Sequence, residues 1–99
     1  MDKLNIDNRA IHSYCAKHRI RRLALFGSVL TEDFSPESDV DVLVEFEPDA
    51  VVGLLRMAAM ERELSAILGR KADLRTPDDL SPYFRDEVVS LARVQYAEG

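Results

Sequence analysis

Residues 26–46 read FGSVLTEDFSPESDVDVLVEF. Asp39 and Asp41 bracket Val40, and Val42, Leu43 and Val44 follow. The alternation predicts a strand over 39–46 with Val40, Val42 and Val44 on one face. Asp39, Asp41, Leu43 and Glu45 take the other. Two carboxylates two residues apart on a strand point the same way and repel, so something positive is expected between them. Eight acids and no Lys or Arg run from Glu32 to Asp49: Glu32, Asp33, Glu37, Asp39, Asp41, Glu45, Glu47 and Asp49. Most suit water-facing loops. Asp39 and Asp41 sit in an apolar pattern, where adjacent carboxylates need a proton or a bridging cation. Hard oxygen donors favour Mg2+, Mn2+ or Ca2+, and Mg2+ is commonly held by one or two carboxylates together with phosphate oxygens.

Just upstream, RLALF at 22–26 is short and nearly all apolar, as an interior strand buried on both faces would be. Gly27-Ser28 ends it. This pair reads either as an ordinary strand-to-helix turn with Ser28 as N-cap, or as a close backbone approach whose amides and hydroxyl hold phosphate oxygens. One or two helical turns over 29–34 lead into the Ser-Pro turn at 35–38. Further back, residues 7–18 predict a helix with Asp7 as N-cap and Ile6 as a staple. Its apolar stripe is Ala10, Ile11, Tyr14, Cys15 and His18. His12 lies off the stripe and reads as solvated. Cys15 reads as a buried, inert thiol.

Downstream, Leu54 to Leu68 predicts a helix with Leu54, Met57, Met60 or Glu61, Leu64, Ile67 and Leu68 along one side and Gly69 as its C-terminal cap. RKADLRT at 70–76 reads as a third strand. Thr76, Pro77 and Asp79 form a capping box with proline at the first helical position. SPYFRDEVVSLARVQY at 81–96 reads as a terminal helix with Phe84, Val88 and Leu91 inward. The order, α-β-(short α)-β-α-β-α-α, predicts a two-layer α/β sandwich around a small sheet.

Ninety-nine residues, 46% of them hydrophobic, predict one domain over 1–99 with one modest core. A net charge of −5 argues against nucleic acid as a direct partner. The basic cluster of Lys17, Arg19, Arg21 and Arg22 reads as cations at a helix C-terminus. One cysteine excludes an intrachain disulfide and a cysteine-based zinc site. The polar N-terminal stretch lacks the apolar centre of a signal peptide, and no run approaches the ~18 apolar residues of a membrane span, so the cytoplasm is the expected location.

Gly27-Ser28, ten residues, then Asp39-x-Asp41 joins a phosphate cradle to a metal pair on two strands that can be neighbours. This segment resembles the G-S-x10-D-x-D signature of nucleotidyltransferases related to DNA polymerase beta, and is most similar to the minimal nucleotidyltransferase group. The likeness runs through IRRLALFGS, SDVDVLVEF, ILGRKADL and TPDDLSPYFRDEV. It implies the two-layer nucleotidyltransferase fold (α+β), a mixed sheet of three to four strands with helices packed on it. It implies catalytic and metal-binding roles for Asp39 and Asp41, and for Asp73, which matches the family's third acid. Gly27 and Ser28 would bind the nucleotide phosphates and Mg2+ would be the cofactor. It further implies an antitoxin that moves AMP from ATP onto a tyrosine of a cognate HEPN-domain RNase toxin, with which it would form a hetero-oligomer.

Asp73 is the single acid between Glu63 and Asp78. Pairing with Lys71 or Arg75 is the competing structural reading, a weak one because neighbours two apart on a strand share a face only loosely. Close family members carry a basic residue after Gly-Ser. Residues 29–34 have none, and Arg56, Arg62 or Lys71 are the cations available to replace it. Two rivals to the transfer reading are neutralisation of a toxin by stoichiometric binding and transfer to a small molecule, as in aminoglycoside inactivation. The second usually needs an added acceptor-binding domain or a dimer.

Overall fold

A computed structural model describes residues 6–32 and 34–98. The N-terminal stretch read for a signal peptide falls largely outside these residues, as does Asp33 of the acidic run. Helix α1 (Asn8–Lys17) leads to strand β1 (Ile20–Phe26), a 3-10 turn (Gly27–Leu30) and β2 (Val40–Phe46). Helix α2 (Leu54–Leu68), β3 (Ala72–Arg75), a second 3-10 turn (Pro77–Asp79), α3 (Arg85–Leu91) and β4 (Arg93–Ala97) complete the order. The result is a mixed α/β protein with a four-stranded sheet in the order β3-β2-β1-β4. β1 pairs antiparallel with both β2 and β4, and β2 pairs parallel with β3.

The punctuation follows from local chemistry. The Asp7 carboxylate accepts from the Arg9 and Ala10 amides, giving α1 its first-turn partners. α2 stops at Gly69, whose φ of 69° is left-handed and needs no Cβ penalty. The capping box of Thr76 and Asp79 is present.

Register separates the two faces of the sheet. Leu23 lies opposite Val44, Leu25 opposite Val42, Val40 beside Ala72 and Val42 beside Leu74. These residues join Ile11, Tyr14, Cys15, Met60 and Leu64 in one core beneath α1 and α2. Tyr14 donates its hydroxyl to the Met60 carbonyl at 3.0 Å, and Glu63 takes His18 at 2.9 Å and Lys17 at 3.1 Å, fixing the end of α1 to α2. On the opposite face Phe26 lies opposite Asp41, Asp41 beside Asp73, and Ala24 opposite Leu43. β1 is interior and buried on both faces at Leu23, Ala24 and Leu25, as its apolar run predicts.

Five expectations are corrected. Residues 93–97 are strand β4, because the second edge of β1 offers backbone partners that a helix there would leave unmatched. Phe84 and Leu91 are 60% and 67% exposed, and Val88 is half-buried, so the α3 face does not enter the core. Leu54 is 89% exposed, since the buried stripe of α2 begins a turn later and centres on Met60, Leu64 and Leu68. The helical segment read at 29–34 is the 3-10 turn at 27–30. Of the basic cluster, Lys17 alone stands in the last turn of α1. Arg19 pairs with Glu47 and Asp49, and Arg21 and Arg22 reach Glu45 from β1.

Candidate active site

Asp41 stands on interior strand β2, with Phe26 across from it on β1 and Asp73 beside it on β3. Gly27 follows Phe26 directly, so the chain turns away from the sheet against the Asp41 carboxylate. A Cβ built on Gly27 would meet Asp41 Oδ2 at 2.3 Å, and Gly27 has φ +75°. No other residue satisfies both constraints without a shift of the turn. The Ser28 backbone N–H donates to the same carboxylate. Sequence reasoning gave the Ser28 amide and hydroxyl to phosphate, and the amide also stands against Asp41, where it favours the ionised carboxylate.

Asp39 lies two residues before Asp41, just outside the strand, and its side chain is exposed. Asp73 is half-buried. The two acids read from the DVD pattern and the third acid read from KADLRT thus meet on one face of adjacent strands, with Gly27-Ser28 along the same margin. Burial raises the affinity of Asp41 for a proton above the usual carboxylate range, and the charges of Asp73 and Asp39 add to that rise. Arg75 and the Ser28 amide oppose it.

The positive partner expected between Asp39 and Asp41 is not placed there. Lys71 Nζ approaches Asp39 Oδ2 at 3.8 Å, and Arg75 Nη2 approaches Asp73 Oδ2 at 3.3 Å. The Arg75 pair corrects the expectation that residues two apart on β3 would interact weakly, since both lie on the same face of the strand and the Arg75 side chain is long enough to reach Asp73. Among the described residues Asp41 is left as the central carboxylate with no cation within salt-bridge distance. Of the cations considered for the missing base, Lys71 borders the acids, while Arg56 and Arg62 occupy exposed positions on α2.

Among the described residues, no group of three His, Cys, Asp or Glu side chains already stands arranged to hold a metal ion. The donor chemistry nevertheless fits a hard divalent cation: three carboxylates from neighbouring positions, one of them made more basic by burial and then by the charge of the other two. The outer two are held by exposed ion pairs, whose worth is at most ~1 kcal/mol. Turning them toward a common cation therefore costs little.

A hollow of about 710 Å3 opens beside Asp73, between β3, the start of α2 and the loop after β2. Val52, Met57 and Asp73 share it although they are well apart in the chain. No local pattern in the sequence points to that meeting.

Comparison with known proteins places these features in context. A family model described as a nucleotidyltransferase domain matches residues 8–94. A candidate protein adenylyltransferase of Methanocaldococcus jannaschii is 30% identical over 89 residues, covering 90% of this chain and 94% of that protein. The solved structure of a candidate minimal nucleotidyltransferase is 34% identical with a TM-score of 0.70, covering 86% of this chain and 85% of the other. A toxin–antitoxin crystal structure with AMP-PNP shares the fold at a TM-score of 0.73 and 17% identity, over 93% of this chain and 74% of that one. Among the described residues no helix is long and apolar enough to cross a membrane.

Proposed function

This chain belongs to the nucleotidyltransferase domain family, and from that premise we propose that it transfers AMP from ATP to a tyrosine hydroxyl of a HEPN-type RNase toxin and so silences it. The carrying observation is the pairing of Asp41 with Asp73 on the face that also bears Gly27-Ser28. Support for a protein acceptor comes from the adenylyltransferase relative, and support for a toxin partner from the structural neighbour that pairs toxin with antitoxin beside a nucleotide analogue. Residues 1–99 act as one domain in this reading, in the cytoplasm where ATP is available.

Asp39, Asp41 and Asp73 would hold Mg2+, which when bound neutralises charge on the triphosphate and lowers the barrier to attack at the α-phosphorus. The Gly27-Ser28 turn binds the departing phosphates and stays close to Asp41 because residue 27 has no side chain. The tyrosine oxygen forms a bond to the α-phosphorus. The bond from that phosphorus to the α,β-bridging oxygen breaks in line, and pyrophosphate leaves with the electron pair. Asp73 takes the phenolic proton, its carboxylate being the one farthest across the sheet from the phosphate turn. Lys71, beside Asp39, takes the part of the missing base after Gly-Ser and faces the triphosphate.

A second reading, neutralisation by contact alone, is favoured by Tyr83, Phe84 and Leu91, which stand 91%, 60% and 67% exposed around α3. The double substitution Asp39→Asn with Asp41→Asn separates the two. With labelled ATP and a HEPN-type toxin as acceptor, transfer predicts label on toxin tyrosine with wild type and none with the double variant, together with loss of protection. Full protection by the double variant would establish contact as the mechanism.

A further inference from the structure

We propose that Arg70 is a positioning residue for Asp39: it clasps the turn at residues 35–38, from which the chain enters Asp39. The inference rests on the metal-binding role given to Asp39 above. Asp39 stands just ahead of β2, so its backbone lies outside the sheet ladder. Its carboxylate is exposed and meets Lys71 Nζ at a loose 3.8 Å. What fixes its place is therefore the chain on either side of it.

The frame comes from the end of α2. Gly69 turns the chain out of the helix in the left-handed conformation, and the Arg70 amide donates to the Ser65 carbonyl at 3.2 Å. Two residues on, the Ala72 amide donates to Ser65 Oγ at 2.9 Å. Residues 70–72 are thereby tied to the helix, and they grip the chain on both sides of Asp39. After it, the Val40 amide donates to the Lys71 carbonyl at 2.8 Å. Before it, Arg70 Nη2 donates to the Ser35 carbonyl, and the guanidinium carbon lies 4.2 Å from the centre of the Phe34 ring. Phe34 itself packs against the core. The Ser35 carbonyl also accepts from the Ser38 amide at 3.0 Å, and Ser38 Oγ accepts from the Ser35 amide at 3.0 Å, so the turn is closed on itself. Without Arg70 the closed turn loses its tie to the helix and can swing with Asp39 at its end.

The clasp calls for a guanidinium. Its planar fork donates to a carbonyl while its face rests on a ring, a combination that a compact ammonium performs poorly. The sign of the effect separates positioning from charge. A cation that merely stood near the acids would repel a divalent ion, and its removal would tighten metal binding. Loss of a group that orients a metal ligand weakens binding.

The test uses the full chain with Mn2+ alone. Bound metal is read from the loss of the free-ion paramagnetic resonance signal, and local opening from hydrogen exchange at single amides. Arg70→Met keeps the stem and removes donor and charge, and should weaken Mn2+ binding at least fivefold, as changes behind a metal ligand do. Exchange at the Ser38 amide should quicken at least fivefold more than at the Val42 amide within β2. Arg70→Lys should fall between wild type and Arg70→Met. Phe34→Leu removes the ring and leaves the donor. It should weaken Mn2+ binding at least twofold, and it carries the test if Arg70→Met does not fold. Unchanged or tighter Mn2+ binding by the folded variants would overturn the assignment. Equal quickening at Ser38 and Val42 would also overturn it, making Arg70 a prop of the whole fold. If wild type binds Mn2+ and the variants rank as expected, but no AMP reaches a HEPN-type toxin, the transfer reading fails and this one is upheld. Absence of Mn2+ binding by wild type would overturn both.

Discussion

Asp41 occupies the space that a side chain at position 27 would need, its Oδ2 lying 2.3 Å from where a Gly27 Cβ would stand. The turn after β1 and the central carboxylate are thus fitted to each other. Gly27→Ala is expected to destabilise the protein by about 1–2 kcal/mol from the left-handed backbone alone, with the collision adding to it. The variant should also displace Asp41 and lose Mg2+-dependent nucleotide binding. Urea denaturation and calorimetry read the two effects. Wild-type behaviour in both would show that the turn relaxes freely.

Asp41 makes a second prediction, on stability against pH in metal-free buffer. Its folded-state affinity for a proton is raised by burial and then by Asp73 and Asp39. The folded protein therefore keeps this proton to higher pH than the unfolded chain, whose carboxyl loses it near 3.8. Stability falls as pH rises from that value through the raised one. Asp41→Asn removes this decline, keeps an oxygen to accept from Ser28, and should melt higher than wild type at pH 7 in EDTA. Thermal melts between pH 3 and 8 check the slope. A lower melting temperature for the variant at pH 7 would mean that the carboxylate is not under electrostatic stress.

Lys71 faces Asp39 across an exposed 3.8 Å pair. Lys71→Met should change stability by less than ~0.5 kcal/mol, as exposed pairs generally do. It should raise the KM for ATP several-fold with a smaller change in kcat. An unchanged KM would assign the phosphate contact to another cation.

Glu61 and Ser65 of α2 reach the outer edge of β3, accepting from the Leu74 amide at 2.8 Å and the Ala72 amide at 2.9 Å. Glu61→Leu leaves the Leu74 N–H without that partner and should cost about 1–3 kcal/mol. Glu61→Gln, which retains an acceptor oxygen, should cost much less. Equal losses in the two variants, measured by chemical denaturation, would point to charge in place of hydrogen bonding.

Much of this arrangement is legible in the chain. Asp7, Gly69 and the Thr76–Asp79 box act through residues two to four positions away, so a local pattern suffices to find them. The two acids of DVD stand out because a strand gives them one face. The third acid, Asp73, was reached through family likeness, and the parallel register of β2 and β3 sets it beside Asp41. What escaped depends on distant partners. RVQYA at 93–97 alternates polar residues with Val94 and Tyr96, a strand signal, yet the helical period of Phe84, Val88 and Leu91 runs into it. Only the open side of β1 decides the matter. The hollow near Met57 was hidden for a similar reason, since it is made by β3, α2 and the loop after β2, which no window of sequence contains.

The amides along β3 that Glu61 and Ser65 occupy would otherwise face outward as a bare template. With these donors already matched, a stray extended chain finds no ladder to join on that margin. The side chains that steady the strand carrying Asp73 thus also discourage fibril growth from it, so a variant chosen for looser chemistry at α2 would carry an aggregation hazard as its side effect.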